Sequence, residues 1–492
     1  MKAFLNNAFK LDENGTSVKT EILAGLTTFF AMCYIVIVNP NQITGFYKYL
    51  GGEMQALWNA VFVGGLIAAI IGTLLMAFVA KKPFAQASGM GLNSFFFTSF
   101  IIPALVFDPA TGEVTGFGSN LVSAYGAGLV IILLSGLIFL TLSVTGLRKY
   151  IATAMPECLK KAIPAGIGLF IAFIGFKNSF IVQGNQFTFV QLADLTQWKV
   201  YNSFGELAGG AAPVLASFLG LILIGVFAKS KFSWLRKGSI ILGILSSSIL
   251  FYLFTWTAPT WNQQHIGEVF GDFGKYGFAV FNGSSWTTAF DGATIGGIFT
   301  VIMYIVTFCL VDMFDTIGTL YGTAAQANML DENGDPDRLN ECMLCDSIGT
   351  VAGACLGTST ITTFVESASG VAEGGRTGLT SVVVALCFTQ CLFVSPIASI
   401  IPSVSTAPAL IYVGVLMLKN FAAVDMEDMR SAIPAFLTLV LMPLTYSISN
   451  GIGVGAISYV IITLLTGKYS KRDIVVTVIA VLFALRYALV VM

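Results

Sequence analysis

The sequence predicts an all-α polytopic membrane protein of about 14 transmembrane spans, two of them short and interrupted. Three observations predict it: the composition, the placement of Lys and Arg along the chain, and two pairs of internal echoes. Of 492 residues, 56% are hydrophobic and 10% charged, and the mean hydropathy is +0.83. A soluble chain carries about 25% charged residues. Many stretches reach the roughly 20 apolar residues needed to cross a bilayer; the clearest are 57–80, 120–146, 211–229, 237–258, 293–311 and 378–398. The lipid bilayer is therefore one partner, and a net charge of −1 gives no reason to expect nucleic acid as another.

In chain order the spans are expected at 20–39, 57–80, 84–101, 120–146, 161–177, 211–229, 237–258, 293–319, 343–357, 361–374, 378–399, 405–418, 432–447 and 452–467. The third and tenth are the weak ones. A further apolar segment, 473–491, either lies along the membrane or crosses it again. The N-terminal "MKAFLNNAFKLDENGTSVK" has no apolar h-region, so no cleavable signal peptide is expected. With a cytoplasmic N-terminus and alternating spans, 20 of the 25 Lys and Arg fall on the cytoplasmic side. Only Lys48, Lys177, Lys199 and Lys275 fall outside, and Arg486 sits in the ambiguous tail. That asymmetry is the positive-inside pattern.

Two echoes link the halves. "ASGMGLN" (87–93) resembles "ASGVAEG" (368–374), and "AGIGLFIAFIGFKN" (165–178) resembles "APALIYVGVLMLKN" (407–420). Each pair is seven spans apart. Seven is odd, so the second copy enters from the opposite face, which is the inverted-repeat arrangement of secondary transporters. The first echo falls on the two weak spans, where Pro83 and runs of Gly and Ser interrupt the helix. Interrupted spans at matching positions of two halves point to a binding site. The chain before Gly89 and before Gly370 is expected to be extended, the two stretches meeting near the midplane, with a half-helix following each. Small residues for close helix packing are the competing explanation.

Acids at membrane depth are few. A carboxylate there costs on the order of 2.5–3.5 kcal/mol on the insertion scale and so marks function by default. Glu366 is the deepest, followed by Asp312 in "CLVDMFDTIGTL", with Asp315 nearby. Asp346, Glu373 and Glu21 sit near span ends and are expected to cap helices or pair at interfaces, with Arg376 as a partner for Asp346 or Glu373. Asn93 either contacts a ligand or makes an interhelical hydrogen bond. The eight cysteines are mostly inside apolar spans, and Cys342-x-x-Cys345 is a lone pair where zinc needs four ligands. The single histidine, His265, allows no histidine metal cluster, so no metal and no cofactor are expected. No HExxH or GxSxG motif is present, so an enzyme is not expected either.

Two carboxylates and an amide repel a simple anion. A neutral heterocycle with adjacent N–H donors suits them, because a carboxylate accepts two parallel N–H bonds. Phe30, Tyr34, Phe95 and Phe364 are aromatics near enough in sequence to sandwich a flat ring. A carboxyl group held out of water favours its neutral form, so such a site can also carry a proton across.

The segments "FKLDENGTSVKTEILAGLTTFFAMCYIVIVNP", "ASGMGLN", "AIPAGIGLFIAFIGFKN", "VDMFDTIGTL" and "GTSTITTFVESASGVAEGGRTGLT" together resemble the adenine/guanine/hypoxanthine permease branch (AzgA-like) of the nucleobase–cation symporters. The resemblance covers roughly 8–470. It implies the uracil-permease fold, with 14 spans as two inverted repeats of seven. Residues 20–146 and 290–399 would form a core domain, and 150–258 and 405–491 a gate domain. It implies proton-coupled uptake of purine bases in the plasma (inner) membrane, with the proton as the only coupling ion. Residue by residue it implies that Glu366, Asp312 and Asn93 hold the base, beside Phe364, Val365, Ser88 and Gly89, and that Asp312 or Glu366 also takes part in proton coupling. Ser88 departs from the family pattern, which has proline before GMGLN, and this relaxes the backbone entering the site. A homodimer is left open. The alternative reading is an anion transporter or exchanger on the same fold, which would prefer neutral or basic residues at 312 and 366. A channel-like or purely structural protein would need a basic partner for Glu366 at similar depth.

Overall fold

A computed structural model describes residues 6, 8–45, 47–108, 114–146, 155–185, 188–201, 207–259, 265–291, 295–327, 329, 336–393 and 400–491. Lys2, Arg148, Lys149, the start of the predicted gate at 150–154, the first residues of the predicted eighth span (293–294) and the last of the eleventh (394–399) lie outside them.

The chain is mostly helical. Predicted span 1 is two helices, α1 (Val18–Met32) and α2 (Ile35–Ile43), joined at Cys33–Tyr34. Then come α3 (Gly52–Leu75), strand β1 (Gln86–Ser88), the short α4 (Met90–Phe96) and α5 (Leu121–Thr145). Next are α6 (Glu157–Asn178), α7 (Ala211–Ala228), α8 (Ser233–Lys237) and α9 (Ser239–Thr255). The second half contains α10 (Ile266–Tyr276), α11 (Gly283–Phe290), α12 (Ile295–Ala327) and α13 (Leu339–Cys355). It continues with a strand at Ile361–Thr363, α14 (Ser367–Ala372) and α15 (Gly378–Cys391). It closes with α16 (Ser403–Leu418), α17 (Met429–Leu444), α18 (Ile448–Leu465) and α19 (Ile474–Val491).

Among the described residues eight helical stretches are long and apolar enough to cross a membrane, and five apolar helices are shorter. The eight fall on predicted spans 1, 2, 4, 5, 6, 8, 12 and 14. The shorter ones fall on spans 3, 7, 11 and 13 and on the C-terminal segment. Span 9 is a helix too polar to qualify, and span 10 is a strand with a six-residue helix. The two deviations have one cause: both segments spend their polar side chains on the interior described below. Short hairpins between spans, such as Val182–Asn185 against Phe189–Leu192, and helices α10 and α11 are additions that the all-α reading of apolar runs does not include.

Packing follows small residues. Helices α6 and α16 approach closely where Gly168 and Gly414 meet: a Cβ on Gly414 would stand 2.4 Å from the Gly168 carbonyl oxygen. Each of these helices carries an interior proline, Pro164 and Pro408. Helix α17 packs on both α6 and α18, and α7 on α9 and α16. Elsewhere α1 packs on α14 and α15, α3 on α13 and α15, and α5 on α11, α12 and α13. Gly91 brings α4 against α6, where a Cβ would be 2.4 Å from Ile167.

At the centre, β1 pairs antiparallel with Ile361–Thr363, hereafter β2, in the register Gln86↔Thr363, Ala87↔Thr362, Ser88↔Ile361. Gly89 N–H to Thr360 O and Phe364 N–H to Ala85 O, each 3.0 Å, close its ends. A two-stranded ribbon leaves two open edges, which are costly at membrane depth unless satisfied. One threonine closes each edge. Gln86 N–H donates to Thr73 Oγ1 (3.0 Å), whose hydroxyl lies 3.1 Å from Gln86 O. Ile361 N–H donates to Thr350 Oγ1 (3.2 Å), which lies 3.2 Å from Ile361 O. The two halves thus use one device, and each threonine sits on the helix before its strand.

Candidate functional site

The extended stretches before Gly89 and before Gly370 do meet, as the sequence suggests, but the echo that pointed to them is out of register. The strand pairing relates Gln86 to Thr363 and Ser88 to Ile361, whereas the "ASG" echo relates 87–89 to 368–370. The extended residues are 361–363, and Val365 and Glu366 already form the turn into α14.

Glu366 is the N-cap of α14 yet does not cap it; its side chain turns toward α1–α2, where Tyr34 Oη donates to Glu366 Oε1 at 2.7 Å. Both residues are buried. Among the described residues no Lys or Arg forms an ion pair with Glu366. Among those residues the structural ion-pair reading finds no basic partner for Glu366. Asp315 of α12 and Tyr412 of α16, both half-buried, are near enough to Glu366 to interact with its charge, and Asp315 feels the charge of Asp346 more strongly still. Val365 is 40% exposed between buried neighbours. Helix α12 packs on α14.

The other predicted site residues are buried. Asp312 is 1% exposed and accepts from Thr350 Oγ1 (2.8 Å), the threonine that closes the edge of β2. Asp315 is three residues on, about 60° round the helix from Asp312, and this turns it toward Glu366. Asp312 and Asp315 thus sit on adjacent faces of α12, Asp312 bonded to Thr350 and Asp315 within reach of the charges of Asp346 and Glu366. Asn93 is fully buried: its Nδ2 donates to Asn39 Oδ1 (2.9 Å) and Gln42 Oε1 (3.3 Å), and its Oδ1 accepts from Ser359. That is the interhelical hydrogen-bond alternative, tying α4 to α2. Phe364 is 5% exposed and packs into the core.

Ser88 bonds Thr358 through its hydroxyl (2.8 Å) and sits opposite Ile361. Ladder bonds alternate in an antiparallel pair, and those at Gly89–Thr360 and Ala85–Phe364 leave the Ser88 N–H pointing away from β2. Serine and proline satisfy the ladder equally there, so this departure does not disturb the crossing. Gly89 is tight: a Cβ would stand 3.1 Å from Thr362 Cγ2 and 3.3 Å from Thr360 Oγ1.

Three acids near span ends have structural roles. Asp346 is fully buried and accepts from Gln86 Nε2, Thr316 Oγ1 and Thr363 Oγ1, joining β1, β2, α12 and α13. Glu21 accepts from the backbone N–H groups of Arg376 (2.8 Å), Thr377 (3.3 Å) and Thr380 (3.1 Å), capping α15. Glu373 pairs with Lys237 of α8 at 2.9 Å. The Arg376 guanidinium instead donates to the carbonyls of Val371 and Gly375, each 2.8 Å, so it is not the expected partner of Asp346 or Glu373.

Solved transporters share this architecture. The transmembrane domain of the cyanobacterial bicarbonate transporter BicA aligns with a TM-score of 0.56 at 14% identity, covering 88% of this chain and 97% of that one. The murine anion transporter Slc26a9, in its inward-facing state, aligns at 0.55 and 13% identity, covering 95% and 72%. At such identity the likeness is one of fold alone. The sequence carries the assignment further. The chain belongs to the Permease family (Xan_ur_permease), whose pattern matches residues 19–454. It is 36% identical to the adenine permease AdeQ of Escherichia coli, over 99% of this chain and 96% of that protein. It is 37% identical to the guanine/hypoxanthine permease PbuG of Bacillus subtilis, over 99% of both. It is a membrane permease and not an enzyme.

Proposed function

We propose that the protein takes up purine nucleobases of the adenine, guanine and hypoxanthine type by proton symport across the plasma (inner) membrane, its N-terminus cytoplasmic. The observation that carries this is the pair of acids, Glu366 and Asp315, which interact through their charges beside the strand crossing, with no Lys or Arg paired to Glu366 among the described residues. Two carboxylates there repel anions and suit the N–H edge of a flat neutral base. That separates this chain from its anion-transporting structural neighbours, with which it shares a fold. The relatives named for adenine and for guanine/hypoxanthine support the same substrate class.

On this reading Glu366 holds the base, Asp315 is the second acid beside it, and one of the two exchanges the coupling proton. Val365 borders the base. Asp312, Asn93, Ser88 and Gly89 support the site by fixing the strands. Helices of the predicted core (20–146 and 290–399) carry the two acids past those of the gate (150–258 and 405–491), which exposes the site to each side in turn.

The test is a competition panel. Proteoliposomes under an imposed pH gradient take up labelled hypoxanthine against unlabelled purines, uracil and sulfate. Purine inhibition with dependence on the gradient is expected. Inhibition by sulfate and not by purines would establish the anion alternative.

A further inference from the structure

We propose that Tyr34 is the positioning residue for the substrate carboxylate: its hydroxyl fixes the Glu366 side chain in the orientation that receives the base. The proposal rests on Glu366 holding substrate, as proposed above.

On α14 itself only the backbone N–H of Glu366 also faces that carboxylate. Glu366 is the first residue of a tight turn and makes no capping bond to its own helix. A glutamate has three side-chain torsions, so without a fixed partner its carboxylate would sample several directions. Among the described residues Glu366 takes one side-chain hydrogen bond, from Tyr34 to Oε1. Oε2 takes no side-chain hydrogen bond among the described residues, and each carboxylate oxygen has lone pairs enough to accept from a ligand as well.

Tyr34 is itself rigidly placed. It is fully buried at the joint between α1 and α2, where the i to i+3 bond from Ile37 N–H to Tyr34 O (3.1 Å) tightens the turn. The distance to Glu366 is set by close packing of α1 on α14. A Cβ on Gly370 would stand 2.1 Å from Thr28 Oγ1 and 2.6 Å from Ala24 O. Gly374, left-handed at φ +99°, turns the chain beside Thr20. The two helices run antiparallel, with 374 beside 20, 370 beside 24 and 28, and 366 beside 34. A phenol suits this position because it donates one directed hydrogen bond while its ring fills the core.

Uptake kinetics of Tyr34→Phe test this, since the change removes the hydroxyl and keeps the ring. The KM for hypoxanthine should rise about tenfold or more, the scale of one hydrogen bond to a charged group. Vmax and the melting temperature of the purified protein should stay near the wild-type values. A lowered Vmax and melting temperature with KM unmoved would make Tyr34 a packing residue and overturn the proposal, as would wild-type KM. Glu366→Gln is measured beside it. Full uptake by Glu366→Gln would remove both the proposed site and the role of Tyr34. Loss of uptake in Glu366→Gln together with an unmoved KM in Tyr34→Phe would remove the role of Tyr34 alone.

Discussion

Asp312 and Asp315, three residues apart on α12, make different contacts. Asp312 bonds Thr350, which also bonds the backbone of Ile361 at the edge of β2. Asp315 lies within reach of the charges of Asp346 and Glu366, and on the proposed reading it is the second acid of the site. Asp312→Asn keeps one oxygen as acceptor for Thr350 but gives up the charge-assisted bond, and a hydrogen bond to a charged group is worth about 1.5–3 kcal/mol. The variant should melt several degrees lower and transport in proportion to the folded protein recovered. Asp315→Asn should keep the wild-type melting temperature and lose substrate-dependent uptake. Thermal scans paired with uptake per folded molecule separate them; uptake lost in Asp312→Asn at full stability would return Asp312 to the site. The sequence shows two acids three residues apart in a membrane helix and so locates the neighbourhood. It does not show which face meets the partner helix, because that depends on Thr350, distant in the chain. Glu366 was legible because a carboxylate in an apolar run is costly wherever it lies. Tyr34 as its donor was not, since the pairing spans 332 residues.

At the scale of elements, the strand crossing is the part the sequence foretold best. Pro83, the glycines and the run of threonines at 358–363 all disfavour a continuous helix, and strand pairing is what remains for their backbone groups. The register escaped because a repeated "ASG" is a cue from composition, whereas pairing is set by Thr73, Thr350 and Asp346. Asp346 illustrates the limit again: near a span end in sequence, it lies at the hub of both strands in space. Asp346→Asn turns an amide N–H₂ toward donors from Gln86, Thr316 or Thr363, leaving buried donors unmet at about 1–3 kcal/mol each. The crossing should loosen as a unit. Melting temperature and uptake should fall together, and Gln86→Leu in the same background should cost little more, because the two losses share one network. Additive losses would mean that Gln86 and Asp346 act separately.

For the whole molecule, the packing of the C-terminal helix bears on what apolarity alone leaves open at 473–491. Helix α19 runs antiparallel along α18 for most of its length. Tyr459 Oη donates to Asp473 Oδ1 (3.0 Å) at one end. At the other, Arg486 Nη1 donates to Ser449 Oγ (2.7 Å) and Tyr487 Oη to Asn450 Oδ1 (3.3 Å). Phe483 fills the notch beside Gly453, where a Cβ would stand 2.6 Å from its ring. Residues 473 to 486 of a helix cover about 20 Å, most of the roughly 30 Å hydrocarbon thickness. A helix lying on the membrane surface would touch α18 at one level only. Contacts spread along both helices instead set α19 beside α18 over most of its length, and the expectation is that where α18 crosses, α19 crosses back. Arg486 is costly at that depth, and it is met by Ser449 and by the face of the Tyr304 ring, 5.6 Å away. The prediction is one of sidedness. In a cysteine-free background, Lys471→Cys and Ala488→Cys should react with a membrane-impermeant maleimide from opposite sides of the membrane, one in intact cells and the other only in inverted vesicles. Labelling of both from the same side would place α19 on the surface and return the chain to an even number of crossings.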